Sequence, residues 1–341
     1  MRPCHEQPSY GVHTNGAGAD VRYRSIMAER ILIGTSSWTD KSLIESGRFY
    51  PPEVTTPEER LRYYASEFPI VEIDSSYYGI PTVETARRWI ERTPPQFVFN
   101  IKAYRLFTRH QTPVVSMGKD LRQALGAVKS NVYEQDTPAE IVMELWSQFR
   151  AVLEVLRDGG KLGAVHMQFA PWVAFHPESF DYLEHCRAML AGFTVAVEFR
   201  NKTWFNTERH TARTLAFERE NALVNVVVDA PRNVANTIPA VWEVTNPDLA
   251  LVRLHGRNYG TWNKKGLKAS SERFDYDYPD DELQEIAGEV ETIAPKVGSV
   301  HVLFNNNNQD QGQRGARALS RLLPAAARPA RVADRPSQPE S

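Results

Sequence analysis

Short runs rich in β-branched residues recur along the chain at 31–35, 70–74, 97–102, 163–168, 194–198, 222–229, 249–255 and 299–305. Between them lie stretches whose apolar residues repeat with helical spacing: 82–92, 177–190, 206–220, 280–293 and 311–323. Two more helices announce their starts. Thr56-Pro57-Glu58-Glu59 and Thr137-Pro138-Ala139-Glu140 each put a capping threonine before a proline, with acid in the first turn. The connection 231–247 is the weakest and predicts a short helix at most. Eight strands alternating with helices imply a parallel sheet, and eight such units fit a single (β/α)8 TIM barrel of class α/β. The rival is an open doubly wound sheet, but no Gly-x-Gly-x-x-Gly turn follows the first strand. The barrel is expected over 30–323, with a disordered leader at 1–29 and a disordered tail at 324–341, both polar and without periodicity. Met27 offers an alternative start within the leader. An insertion, 104–136, separates the third strand from its helix; long loops after barrel strands open onto the active-site end.

Strand alternation turns this scheme into chemistry. If aliphatic residues face the helices, the inward positions near the strand ends are Thr35, Glu72, Asp74, Asn100, Lys102, His166, Gln168, Glu198, Arg200, Asp229, Arg253, His255, His301 and Asn305. Branched aliphatics ordinarily fill such a lumen. Buried charges cost several kcal/mol each unless paired, so Glu72, Asp74, Glu198 and Asp229 are expected to face Lys102, Arg200 and Arg253.

Composition narrows the function without naming it. The chain is 42% hydrophobic and 24% charged, as globular proteins are, and its net charge of -2 advertises no global attraction to nucleic acid or anionic lipid. Charge specificity must therefore be local. Two cysteines, Cys4 and Cys186, argue against a disulfide framework or a cysteine zinc site and for a reducing compartment. With no apolar run long enough for a membrane span and no apolar signal core in the first 29 residues, the expected location is cytoplasmic.

Several motifs carry a family resemblance. Gly34-Thr35-Ser36-Ser37-Trp38, Phe49-Tyr50-Pro51, Val71-Glu72-Ile73-Asp74-Ser75-Ser76-Tyr77-Tyr78, Gln168-Phe169-Ala170-Pro171, Val197-Glu198-Phe199-Arg200 with Trp204, Arg253-Leu254-His255-Gly256-Arg257-Asn258 and Phe304-Asn305-Asn306-Asn307 occur in order over about 31–323. Together they resemble domain-of-unknown-function family 72, the YecE-like proteins. The resemblance implies a TIM barrel and no established activity.

Arg200, Arg253, Arg257 and His255, with Lys102, make a basic wall suited to a phosphate or carboxylate, since arginine presents a planar fork. The competing reading pairs the same cations with Glu72, Glu198 and Asp229. A divalent metal on Glu72, Glu198, Asp229 and His255 is the less favoured use of those carboxylates, because no tight ligand spacing is present. His255, oriented by Glu198 or Asp229, is a candidate acid or base. Aromatics after the strands (Trp38, Tyr50, Tyr77, Tyr78, Phe169, Trp172, Trp204, Tyr259 and Trp262) suit a ring-bearing ligand or serve as loop core. Asn258 and the run Asn305 to Asn308 add amides at the same end. His110 and 119–122 of the insertion offer a lid, with a solvated loop the favoured reading. The expected function is an enzyme acting on a small anionic ligand by acid–base chemistry, with catalytic candidates His255, Glu198, Asp229 and Glu72. The ligand-binding candidates are Lys102, Arg200, Arg253, Arg257, Asn258, Trp38, Tyr77, Gln168 and Asn305. The second class is a non-catalytic nucleotide or nucleic-acid binding module.

Overall fold

The computed structural model describes residues 31–126, 130–232, 234, 237–264, 266–267, 270–323 and 326. The expected leader and tail thus lie outside the described residues, apart from Ala326, which bridges to Ile31. In chain order the strands are β1 (Ile31–Thr35), β2 (Ile70–Ile73), β3 (Val98–Lys102), β4 (Thr112–Pro113), β5 (Asn131–Val132), β6 (Leu162–Gln168), β7 (Val195–Glu198), β8 (Val224–Asp229), β9 (Leu249–Leu254) and β10 (Ser299–Phe304). Eight of them close a parallel barrel in the order β1-β10-β9-β8-β7-β6-β3-β2. Each of these eight coincides with one of the β-branched runs. The pattern worked because strands buried on both faces must be apolar and β-branched along most of their length.

Helices Pro57–Glu67, Val83–Glu91, Ala139–Asp158, Pro177–Met189, Glu208–Glu220, Asp280–Ile293 and Gln311–Leu322 form the outer layer. The first is nucleated by a full capping box: Thr56 accepts from the Glu59 amide while the Glu59 carboxylate accepts from the Thr56 amide. The sixth connection stays within the expectation of a short helix at most. No helix occurs among its described residues; Asn225 and Thr245 pin it to β8, Thr245 Oγ1 accepting from the Asn225 amide at 2.8 Å and Asn225 Nδ2 donating to the Val241 carbonyl at 2.9 Å. The insertion holds more structure than a solvated loop, with helix Lys119–Leu125 and a small antiparallel ribbon pairing β4 with β5.

Register settles which residues enter the lumen, because parallel partners at one level share a face. Val226 and Val228 pair with Leu251 and Arg253. His301 and Leu303 pair with the same two residues, and Leu32 and Gly34 continue the row. On the other side Glu72 pairs with Asn100, Lys102 with His166, and Gln168 with Glu198. Glu72, Asn100, Lys102, His166, Gln168, Glu198, Arg253 and His301 therefore point inward as expected. Thr35 and Asp229 do not. Thr35 lies level with Phe304 and Val71, bonding Tyr64 of helix Pro57–Glu67. Asp229 lies level with Leu254, on the face turned to the helices. On β8 valines line both faces, so its hydrophobic pattern carried no parity. At Gly34 the inward position must be bare, since a Cβ there would run into the Ile70 carbonyl where β1 closes onto β2.

Candidate functional site

The centre of the lumen is a knot of buried charge. Arg253, on β9, is wholly inaccessible and forks between two carboxylates, donating to Glu72 Oε1 at 2.6 Å and Glu198 Oε2 at 2.7 Å. His166 stands beside both, Nδ1 at 3.0 Å from Glu72 Oε2 and Nε2 at 3.2 Å from Glu198 Oε2. These histidine contacts are short but off axis, and neither ring nitrogen makes an aligned hydrogen bond. Burial pushes the Glu72 carboxyl up, yet Arg253, His166 and Lys102 outweigh it and hold the pKa at about 2. Burial likewise opposes ionisation of Glu198, but Arg253, Arg200 and His255 keep it well below the usual carboxylate range. Below this layer Asn100 Oδ1 takes up the Ala164 amide at 3.0 Å and lies 3.1 Å from His301 Nδ1. Burial lowers His301 to about 3, so it is neutral.

Toward the C-terminal ends the groups become accessible. Arg200 Nη1 lies 3.2 Å from Glu198 Oε1, with 19% of its side chain exposed. Lys102 donates to Asp74 at 2.8 Å and its ammonium stands 4.6 Å from the centre of the Tyr77 ring. The Arg105 guanidinium lies 5.1 Å from the same ring and has no carboxylate within ion-pair distance among the described residues. Tyr77 meets His110 edge-on at 5.3 Å. His110 is buried against expectation, bonded through Nδ1 to Thr108 Oγ1 at 2.9 Å. Its pKa falls to about 3 through burial and the nearby Lys102, Arg105 and Arg200.

His255 is also neutral. Nδ1 meets Asn305 Nδ2 at 2.8 Å and Nε2 lies 3.5 Å from Glu198 Oε1. Trp262 and Phe274, from the long loop after β9, cover its ring at 6.3 and 5.6 Å. Burial, with Arg200 and Arg253 adding to it, depresses its pKa to about 3 despite Glu198. Gln168 completes the set, with Oε1 3.4 Å from Arg253 Nη1.

Four expected site residues lie elsewhere. Asp229 and Arg257 form a bidentate pair in the helix layer, Nη2 donating to Oδ1 at 2.7 Å and Nε to Oδ2 at 3.1 Å, closed by the Tyr278 hydroxyl on Asp229 at 2.7 Å and Glu285 on Arg257 at 3.0 Å. Asn258 shapes its own loop, accepting from the Gly260 and Thr261 amides. Trp38 is buried edge-on against Trp89. Each is satisfied by local structure and offers the lumen nothing.

Two mouth residues, Arg105 and Asp40, carried no strand-alternation signal in the sequence. Asp40, half-buried in the loop after β1, is pushed up to about 7 by burial and by Asp74, against hydrogen bonds from Asn307 and Ser37. Its only signal was membership of a loop at the active-site end. Among the described residues no group of three or more His, Cys, Asp or Glu side chains could hold a metal ion. No described helix is long and apolar enough to cross a membrane.

The family model "Protein of unknown function DUF72" matches residues 32–340. The chain belongs to the DUF72 family. It is 30% identical over 295 residues to the UPF0759 protein YunF of Bacillus subtilis strain 168, spanning 86% of this chain and 94% of that protein. Among solved structures it is similar to a DUF72 family protein of Enterococcus faecalis V583, with 27% identity, a TM-score of 0.69 and coverage of 86% and 95% of the two chains. A DUF72 protein of Thermotoga maritima MSB8 matches at 26% identity and a TM-score of 0.67, over 86% and 99%. The TIM barrel expected from strand and helix alternation is thus the fold of the family.

Proposed function

We propose that this DUF72 protein is an enzyme that binds a small phosphate- or carboxylate-bearing ligand at the C-terminal mouth of its barrel and transfers a proton there. The observation that carries this reading is a surplus of positive charge at the rim. Arg105 has no carboxylate partner among the described residues, and Arg200 shares Glu198 with Arg253, whereas Lys102 is neutralised by Asp74. Arg105 and Arg200 both act on the Tyr77 hydroxyl and the His110 ring, which locates them around one space. An anion there meets two guanidinium forks in a partly desolvated setting, where such contacts are strong.

The acid–base roles follow from ionisation. Glu198 and Glu72 remain charged through the neutral range and His255 remains neutral, so these three position and polarise without changing charge. Asp40 titrates near neutrality, where general acid–base catalysis is most efficient. Arg253 supports the site from below, holding Glu198 toward Arg200.

Thermal melting with inorganic phosphate, citrate and phenyl phosphate tests the reading. At saturating anion the expected rise is roughly 5 °C, largely lost in Arg200→Gln and in Arg105→Gln. No rise with any anion, or an equal rise in both variants, overturns it. Oligonucleotide binding that weakens steeply with salt while small anions do nothing overturns it in favour of a nucleic-acid binding module.

A further inference from the structure

A second cleft opens beside the mouth, between the insertion after β3 and the loop after β6. It encloses about 460 Å³ and is walled by Arg109, Tyr133, Gln135, Trp172, Glu178 and Tyr182, a volume in the range of small-molecule sites. Its floor is Trp172, a tryptophan with 57% of its surface exposed. The indole is not loose. Its Nε1 donates to the Arg109 carbonyl at 3.1 Å, and the adjoining Pro171 carbonyl accepts from Asn201 Nδ2 at 2.7 Å. Tyr133 stands at 80° to the indole with ring centres 6.2 Å apart, so the two rings make a corner.

Three features select the occupant. First, among the described residues the cleft offers no free cation: the Arg109 guanidinium sits over the Tyr182 ring at 3.6 Å and pairs with Glu134 at 3.1 Å. Glu178 adds an exposed carboxylate at the rim, so an anion is disfavoured. Second, a nucleobase is best held between parallel faces, and here the second ring is perpendicular. A puckered ring with one C–H face and hydroxyls on its edge fits a corner. Third, the polar groups of the lining include a carboxylate, an amide and a hydroxyl, Glu178, Gln135 and Ser179, which match the mixed donors and acceptors of neighbouring hydroxyls. The cleft also adjoins the mouth through one residue, because His110 contacts Tyr77 on one side and Trp172, at 5.8 Å, on the other.

We propose that this cleft is a sugar subsite, seating a pyranose ring with its C–H face on Trp172 and its hydroxyls toward Gln135 and Glu178. The ligand of the mouth is then a glycosyl-bearing anion; that extension rests on the anion reading above, while the cleft's affinity for a neutral sugar does not.

Saturation-transfer NMR with methyl glycosides of glucose, galactose, mannose and xylose, in buffer free of phosphate, tests it. The expected result is transfer to ring C–H protons of at least one glycoside, with affinity about tenfold weaker in Trp172→Ala, the order of magnitude of a lost aromatic face, and partly restored in Trp172→Phe. Because Trp172 is exposed, the variant should melt as the wild type does, and phosphate should stabilise both equally. Arg200→Gln should bind the glycoside unchanged. The proposal fails if no glycoside binds, if binding survives Trp172→Ala intact, or if adenosine alone binds in a Trp172-dependent way. Stabilisation by phosphate without any glycoside binding would sink the subsite and leave the anion site standing; glycoside binding without phosphate stabilisation would do the reverse.

Discussion

Glu198 and Glu218 are both fully buried, one in the barrel lumen and one in helix Glu208–Glu220 of the surrounding shell, yet their ionisation is opposite. Glu198 has Arg253 at 2.7 Å and Arg200 at 3.2 Å, and these cations outweigh burial and keep it a carboxylate. Neither oxygen of Glu218 has a hydrogen-bond partner, and burial drives its pKa well above the usual value with only Arg219 opposing. Desolvation acts on both; the number of partners decides the sign. The lumen therefore behaves as a pre-charged environment, while the shell tolerates a lone carboxyl by keeping it protonated. A buried ion network is rarely the most stable way to fill a core. Its presence under the partly exposed Arg200 accords with a site that needs fixed charge at its base.

The largest test of the contrast is Arg253→Met, which leaves Glu72 and Glu198 buried without their shared cation. A loss of about 3–5 kcal/mol in urea unfolding at neutral pH is expected. Because Glu72 is held at about 2, its contribution is fully present above the ordinary 4.5 and fades as the pH falls toward 2, so the deficit should shrink in acid. Adding Glu72→Gln and Glu198→Gln should recover most of the loss; if the single variant is as stable as wild type, the network is not mutually supporting.

Glu218→Met probes the other side and should stabilise by about 1–3 kcal/mol in mild alkali by removing a buried unpartnered polar group. Its folded pKa is raised, so the native carboxyl is harmless below 4.5 and costs stability increasingly as pH rises. The advantage of the variant must grow in that direction, and a pH-independent difference would mean that Glu218 is not protonated in the fold.

Asp40→Asn should have the smallest effect, on the order of 1 kcal/mol after discounting for solvent screening. Asp40 is raised to about 7, so wild type and variant should match below 3.8 and diverge in favour of the variant as pH rises through 7. A profile with the opposite slope would show Asp40 to be paired rather than isolated, and would remove it as the neutral-range acid of the mouth.

How legible the site was depended on pattern contrast. On β2, β3, β6, β7 and β9 polar residues interrupt aliphatic runs, so Glu72, Lys102, His166, Gln168, Glu198 and Arg253 could be assigned to the lumen by alternation. On β8 valine occupies both faces, and Asp229 at its end was read inward when it faces the helices and binds Arg257. Asp40 and His110 sit on irregular segments and Arg105 on a single short 3-10 turn, Arg105–Thr108, where no period reports orientation.

The sequence by itself determined the barrel, because eight doubly buried strands and their amphipathic helices can satisfy their apolar faces in few other ways. It also determined that polar residues would line one end of the lumen. Which charges pair was decided only by tertiary structure. Arg253 reaches Glu72 across 181 residues of chain and Glu198 across 55, and ion-pair energy depends on ångström distances that no local pattern encodes. That choice consumed Arg253 and Arg257 in internal pairs, and it left Arg200 and Arg105 as the cations available to a ligand.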